Sequence, residues 1–151
     1  MSHEVDLAYT KLESEIYEYL SREERVVGAI IVGSRTFSHS KHSDSSDLDV
    51  VIYTEYPDSF INNEDWMNTI RDLKSSYVHI IEGLSPIVKA EFTDGLKVDF
   101  AIATYDREGF KDQLLEHPEF THFNEYFAPN IRLFLDKEGL LKGIVELLKG
   151  A

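Results

Sequence analysis

The residues of this chain best suited to chemistry are three aspartates and a Gly-Ser turn. Asp47 and Asp49 lie in Asp47-Leu48-Asp49, Asp99 lies in Lys97-Val98-Asp99-Phe100, and the turn is Gly33-Ser34-Arg35. Side-chain direction repeats every two residues along a strand, so Asp47 and Asp49 point to one face. Two carboxylates held that way repel each other unless a cation sits between them. A third from a neighbouring strand closes a cage of hard oxygen ligands, which suits Mg²⁺. Glycine lets the backbone approach a phosphate closely, and the amides after it can point at the anion. Ser34 adds a hydroxyl donor and Arg35 a fixed cation for phosphate oxygens. The chemistry implied is metal-assisted transfer at a phosphate.

Each piece also has a plainer explanation. Asp-x-Asp alone describes many solvated strand ends, so the weight rests on the combination. Asp99 stands among Val98, Phe100, Ala101 and Ile102, where a carboxylate is costly without a partner. That partner can be a metal. It can also be Lys97, which shares the strand face of Asp99, or Lys89 on the preceding strand.

The elements that must position these residues are legible as apolar patterns. Val26 to Val32 is an apolar run that stops abruptly at Gly33-Ser34, as a buried strand entering a tight turn does. A polar loop, 38–46, leads into a strand from Asp47 to Tyr53. Its Leu48, Val50 and Ile52 face one way, and Asp47, Asp49 and Val51 the other. Ile87–Phe92 and Lys97–Ile102 flank Thr93-Asp94-Gly95 and predict a hairpin with an Asp-Gly turn. Val5, Ala8, Leu12, Ile16, Tyr19 and Leu20 recur at helical spacing and predict an amphipathic helix that packs on the sheet.

Asn62 followed by Asp65 marks a helix start, with Trp66, Ile70 and Leu73 as its apolar stripe to about Lys74 and Trp66 as a core anchor. Tyr77–Ile81 predicts a short strand, Asp106–Glu116 a helix, with Pro118 ending it or starting the next segment, and Ile131–Leu135 a last strand. Leu140, Leu141, Ile144, Val145, Leu147 and Leu148 then predict a final helix, whose broad apolar side suits this domain, a second domain, or a partner. His39 and His42 stand three apart in the polar loop and are expected to be solvated; His117 and His122 follow no pattern.

Composition narrows the class. A chain of 151 residues with 42% hydrophobic content predicts one domain with a real core. No apolar run approaches the ~18–20 residues of a membrane-spanning helix. Met1–Asp6 lacks the basic and apolar regions of a signal peptide. There are no cysteines, which excludes disulfides and thiolate chemistry; a cytoplasmic protein is expected. Lys and Arg number 15 against 28 Asp and Glu, a net charge of −13. Such a domain is a poor generic partner for nucleic acid, whose binding rests on neutralising phosphates, and its field attracts cations. Most of those carboxylates serve solubility.

Gly33-Ser34, Asp47-x-Asp49 and Asp99 together resemble the signature of the nucleotidyltransferase superfamily that includes DNA polymerase β. Phe60-Ile61-Asn62-Asn63-Glu64-Asp65-Trp66-Met67-Asn68, the Lys97-Val98-Asp99 strand and Phe134-Leu135-Asp136-Lys137-Glu138-Gly139 resemble the bacterial aminoglycoside 6-adenylyltransferases (streptomycin adenylyltransferases), from about Val26 to Gly139. The resemblance implies an α+β nucleotidyltransferase fold, a mixed β-sheet flanked by helices. It implies an adenylyltransferase that uses ATP and two Mg²⁺ ions and acts on a hydroxyl of a small cationic acceptor such as streptomycin.

By the same resemblance Asp47, Asp49 and Asp99 hold the metals, Asp99 is the candidate base, and Gly33, Ser34 and Arg35 hold the triphosphate. Members of that family carry a helical second domain where this sequence ends, at Ala151. The expectation is therefore a single nucleotidyltransferase domain over 1–151, a natural single-domain relative or a fragment. The alternative function is an antitoxin or regulator, paired through the final helix with a helical partner protein or with a second copy of itself.

Overall fold

The computed structural model describes residues 2–32, 47–80, 85–105, 131–139 and 141–142. These form helix α1 (Ser2–Arg22), strands β1 (Val26–Val32) and β2 (Leu48–Thr54), two short helices α2 (Asp58–Ile61) and α3 (Asp65–Ile70), and strands β3 (Leu73–His79), β4 (Ile87–Phe92), β5 (Lys97–Thr104) and β6 (Ile131–Asp136). The six strands make one sheet in the order β3-β4-β5-β2-β1-β6. Only β2 and β5 run parallel; the other four neighbouring pairs are antiparallel. The mixed sheet matches expectation. Among the described residues the helical flank is thin, since α1 alone is longer than two turns.

One sheet face is dry. Tyr9, Leu12, Ile16 and Leu20 of α1 pack on Ala29 and Ile31 of β1, Leu48, Val50 and Ile52 of β2, and Val98, Phe100 and Ile102 of β5. The alternation read in the sequence is the cause: those strand residues point to one side. Trp66 is 4% exposed, sits edge-on to Phe60 and Phe100, and donates its indole N–H to the Phe60 carbonyl at 2.9 Å. It is a core anchor. Ion pairs fasten α1 at both ends of the sheet. Arg71 bridges Glu15 at 2.7 Å and Asp94 at 2.5 Å, and Arg132 meets Glu13 at 2.8 Å.

The other face carries a second, smaller core of Val27, Ile30, Val32, Val51, Tyr53, Ala103, Tyr105, Ile131 and Leu141. Leu141 is helical and buried, and the backbone N–H of Lys142 donates to Asp136 Oδ2 at 3.0 Å. Leu141 reaches the sheet because β1 has no side chain at Gly28. A Cβ there would lie 2.4 Å from Leu141 Cδ1 and 2.6 Å from the Leu135 carbonyl oxygen. The leucine tip can swing away, but the β6 backbone cannot without opening the β1–β6 ladder. Gly28→Ala is therefore expected to cost about 1–3 kcal/mol, roughly 3–10 °C in Tm, in thermal unfolding followed by circular dichroism. An unchanged Tm would mean that this contact is not needed.

Three local expectations are corrected. The helix predicted to run to about Lys74 stops at Ile70: Arg71 is extended, at φ −166° and ψ 158°. Asn68 Oδ1 accepts the Leu73 N–H at 3.0 Å, and β3 begins there. Leu73 therefore packs from a strand and not from a helix stripe. The strand predicted over Tyr77–Ile81 starts earlier, at Leu73. The side-chain bond at the start of α3 also comes from a different asparagine: Asn63 Oδ1 accepts the Asp65 N–H at 2.8 Å. The β4–β5 hairpin is as predicted, with Gly95 in the left-handed region at φ +90°. The turn Gly33-Ser34-Arg35, the loop with His39 and His42, the predicted helix Asp106–Glu116, His117, His122 and the final helix beyond Lys142 lie outside the described residues.

Candidate active site

The parallel pairing of β2 with β5 builds the site. Its register sets Asp49 directly opposite Asp99, on the face away from α1. Two carboxylates that are fifty residues apart in sequence thus become nearest cross-strand neighbours. Asp47 precedes β2 by one residue and is partly buried. On the other side of Asp99 the β4–β5 register places Lys89 opposite it. The Lys89 ammonium donates to Asp99 Oδ2 at 3.0 Å. Extending the ladders gives one transverse row across all six strands: Tyr77, Lys89, Asp99, Asp49, Val32 and Ile131. Val32, opposite Asp49, is the last residue before Gly33-Ser34-Arg35.

The electrostatics follow from the row. Burial, the charge of Asp99 and the charge of Asp47 together push the Asp49 carboxyl up to about 7, against the attraction of Lys89, and a hydrogen bond with Asp99 adds to the rise. Near neutral pH the Asp49 carboxyl is thus protonated part of the time. Burial works against the Lys89 ammonium, but its hydrogen bond and charge attraction to Asp99 outweigh that and raise its pKa.

The donor set fits a hard divalent cation in its chemistry. The groups are carboxylates, the ligands that Mg²⁺ takes, and the site carries more negative charge than it can keep ionised. As the side chains stand, no three His, Cys, Asp or Glu groups among the described residues are gathered closely enough to hold an ion. Lys89 takes the place of a cation beside Asp99. The ion pair open in the sequence is thus present, and it goes to Lys89 and not Lys97. Lys97 lies opposite Glu91 and is exposed, whereas Lys89 is level with Asp99.

Sequence reasoning did not see that Tyr77 belongs to the same row; its only signal was a place on the predicted edge strand. The described residues bring Asp47, Asp49 and Asp99 to one region. Gly33, Ser34 and Arg35 lie outside the described residues.

The sequence matches the streptomycin adenylyltransferase family over residues 8–149. The chain belongs to that family. Among solved structures, an aminoglycoside 6-adenyltransferase from Bacillus subtilis aligns with a TM-score of 0.46 and 14% identity over 78% of this chain. The alignment takes in 37% of that protein, so this chain spans well under half its length. No curated protein matches the sequence. Among the described residues no helix is long and apolar enough to cross a membrane.

Proposed function

We propose that this chain carries the nucleotide-binding part of an adenylyltransferase that moves AMP from ATP to a hydroxyl of a small cationic acceptor, an aminoglycoside such as streptomycin. The observation that supports this most is the in-register pairing of Asp49 with Asp99, in a chain matched by the family almost end to end.

In this reading Asp47, Asp49 and Asp99 hold two Mg²⁺ ions. When bound, such ions neutralise the donor phosphates and stabilise both the attacking and the leaving oxygens. Gly33 and Ser34 offer backbone and hydroxyl donors to the triphosphate, and Arg35 a bidentate cation. Asp99 accepts the proton of the acceptor hydroxyl; it is the carboxylate whose position Lys89 fixes at 3.0 Å. The hydroxyl oxygen bonds to the α-phosphorus as the bond to pyrophosphate breaks. The strand pairing holds Asp49 beside Asp99 before substrate arrives, so their alignment is not left to binding. The net charge of −13 draws a polycationic acceptor towards the domain, and Arg35 provides local positive charge for the anionic donor.

With ATP, Mg²⁺ and streptomycin, the chain is expected to give an adenylylated product detectable by mass spectrometry. Asp47→Asn is expected to lower the rate at least ~10³-fold while circular dichroism and Tm stay close to wild type. Equal product from both proteins would refute the assigned role of Asp47.

A further inference from the structure

Lys89 pairs directly with one of the three candidate carboxylates. It is directly across the ladder from Asp99, and its side chain is 30% exposed against 19% for Asp99. It contacts Oδ2 at 3.0 Å, while Asp49 stands directly across the ladder on the other side of Asp99. Asp99 therefore lies between an ammonium on β4 and a carboxyl on β2. Exposed lysines on the same sheet are not so placed: Lys74, for example, reaches Glu91 only at 3.4 Å.

We propose that Lys89 is a positioning residue of the donor site: a built-in counter-cation that holds Asp99 in place and sets how tightly Asp47, Asp49 and Asp99 take a divalent ion. The inference rests on the metal role proposed above. Lys89 substitutes for an ion between turnovers, keeping Asp49 and Asp99 from splaying apart. It also competes with the ion for Asp99, which keeps the metal exchangeable. Tyr77, next in the row, flanks the ammonium on its outer side.

Mn²⁺ serves as the probe, titrated into the full 151-residue chain without nucleotide, with free Mn²⁺ read by electron paramagnetic resonance. Lys89→Met is expected to bind Mn²⁺ about tenfold more tightly than wild type, because a unit positive charge beside the ion has been removed. Lys89→Arg, which keeps the charge, is expected to stay within about twofold of wild type. Lys11→Met removes the same charge from the exposed surface of α1, against the opposite sheet face, and is also expected to stay within about twofold.

Lys89→Gln gives the same comparison should Lys89→Met not fold. Affinity in the neutral Lys89 variant equal to or weaker than that of Lys11→Met overturns the proposal, as does tenfold tightening in Lys89→Arg. Absence of Mn²⁺ binding in wild type overturns the metal role itself, and this inference with it. Binding in wild type that is indifferent to Lys89 overturns the inference alone.

Discussion

Asp49→Asn is expected to make the metal-free protein more stable at pH 8 and to leave its stability nearly unchanged at about pH 3.5. The Asp49 carboxyl is pushed up to about 7 by burial and by the charges of Asp99 and Asp47. A carboxyl raised in the folded state binds its proton more tightly there than in the unfolded chain. Its contribution to stability is complete below the ordinary aspartate value near ~4 and is lost as pH rises through about 7. At pH 8 the wild type must keep Asp49 and Asp99 charged side by side, or take up a proton against the gradient. Asparagine carries neither cost.

The difference between variant and wild type should grow from near zero at about pH 3.5 to on the order of 2–4 kcal/mol at pH 8, measured by urea unfolding in EDTA. Glu23, held down to about 2 first by its hydrogen bonds from Arg25, acts in the opposite sense, losing stability as pH falls from above ~4.5 towards 2. It is present in both proteins and cancels. Saturating Mg²⁺ should close the gap by stabilising the wild type alone, since only the wild type presents all three carboxylates. A pH-independent difference would mean that Asp49 is not strained by its neighbours.

Asp99→Asn is expected to have the largest effect on transfer, a loss of at least ~10³–10⁴-fold in kcat. The substituted amide would still accept a hydrogen bond from Lys89, so the strand pairing has no reason to fail. It would lack both the charge that helps hold a cation and the basicity needed to take a hydroxyl proton. KM for the acceptor should change little, because no positioning of the acceptor is assigned to this side chain. Steady-state kinetics of pyrophosphate release measure both quantities. A kcat within tenfold of wild type would remove Asp99 from the mechanism.

The same residues show how far sequence alone reaches. Val26–Val32, the hairpin around Asp94-Gly95 and the amphipathic α1 were legible because each is a local pattern: an apolar run, a turn type, a helical period. The direction of Asp47 and Asp49 was legible for the same reason. What was not legible was register. Nothing between residues 47 and 99 states that β2 and β5 run side by side and parallel, or that Asp49 falls level with Asp99 and not two residues off. That is fixed by burial of Leu48, Val50 and Ile52 with Val98, Phe100 and Ile102 under α1.

The choice between Lys89 and Lys97 as the partner of Asp99 was closed to the sequence for the same reason, since both parities allowed it and only the β4–β5 ladder decides. β3 was misplaced because Lys74, Ser75 and Ser76 carry no alternation. It is an edge strand, largely exposed, and packing does not impose the pattern that a buried strand shows.

The central claim is that these carboxylates form a metal-dependent nucleotide donor site, and calorimetric titration of ATP tests it most directly. Wild type is expected to bind ATP with Mg²⁺ present and to lose at least ~10-fold in affinity in EDTA. Asp49→Asn with Mg²⁺ should behave like wild type in EDTA. ATP binding of equal strength in all three titrations would contradict the account.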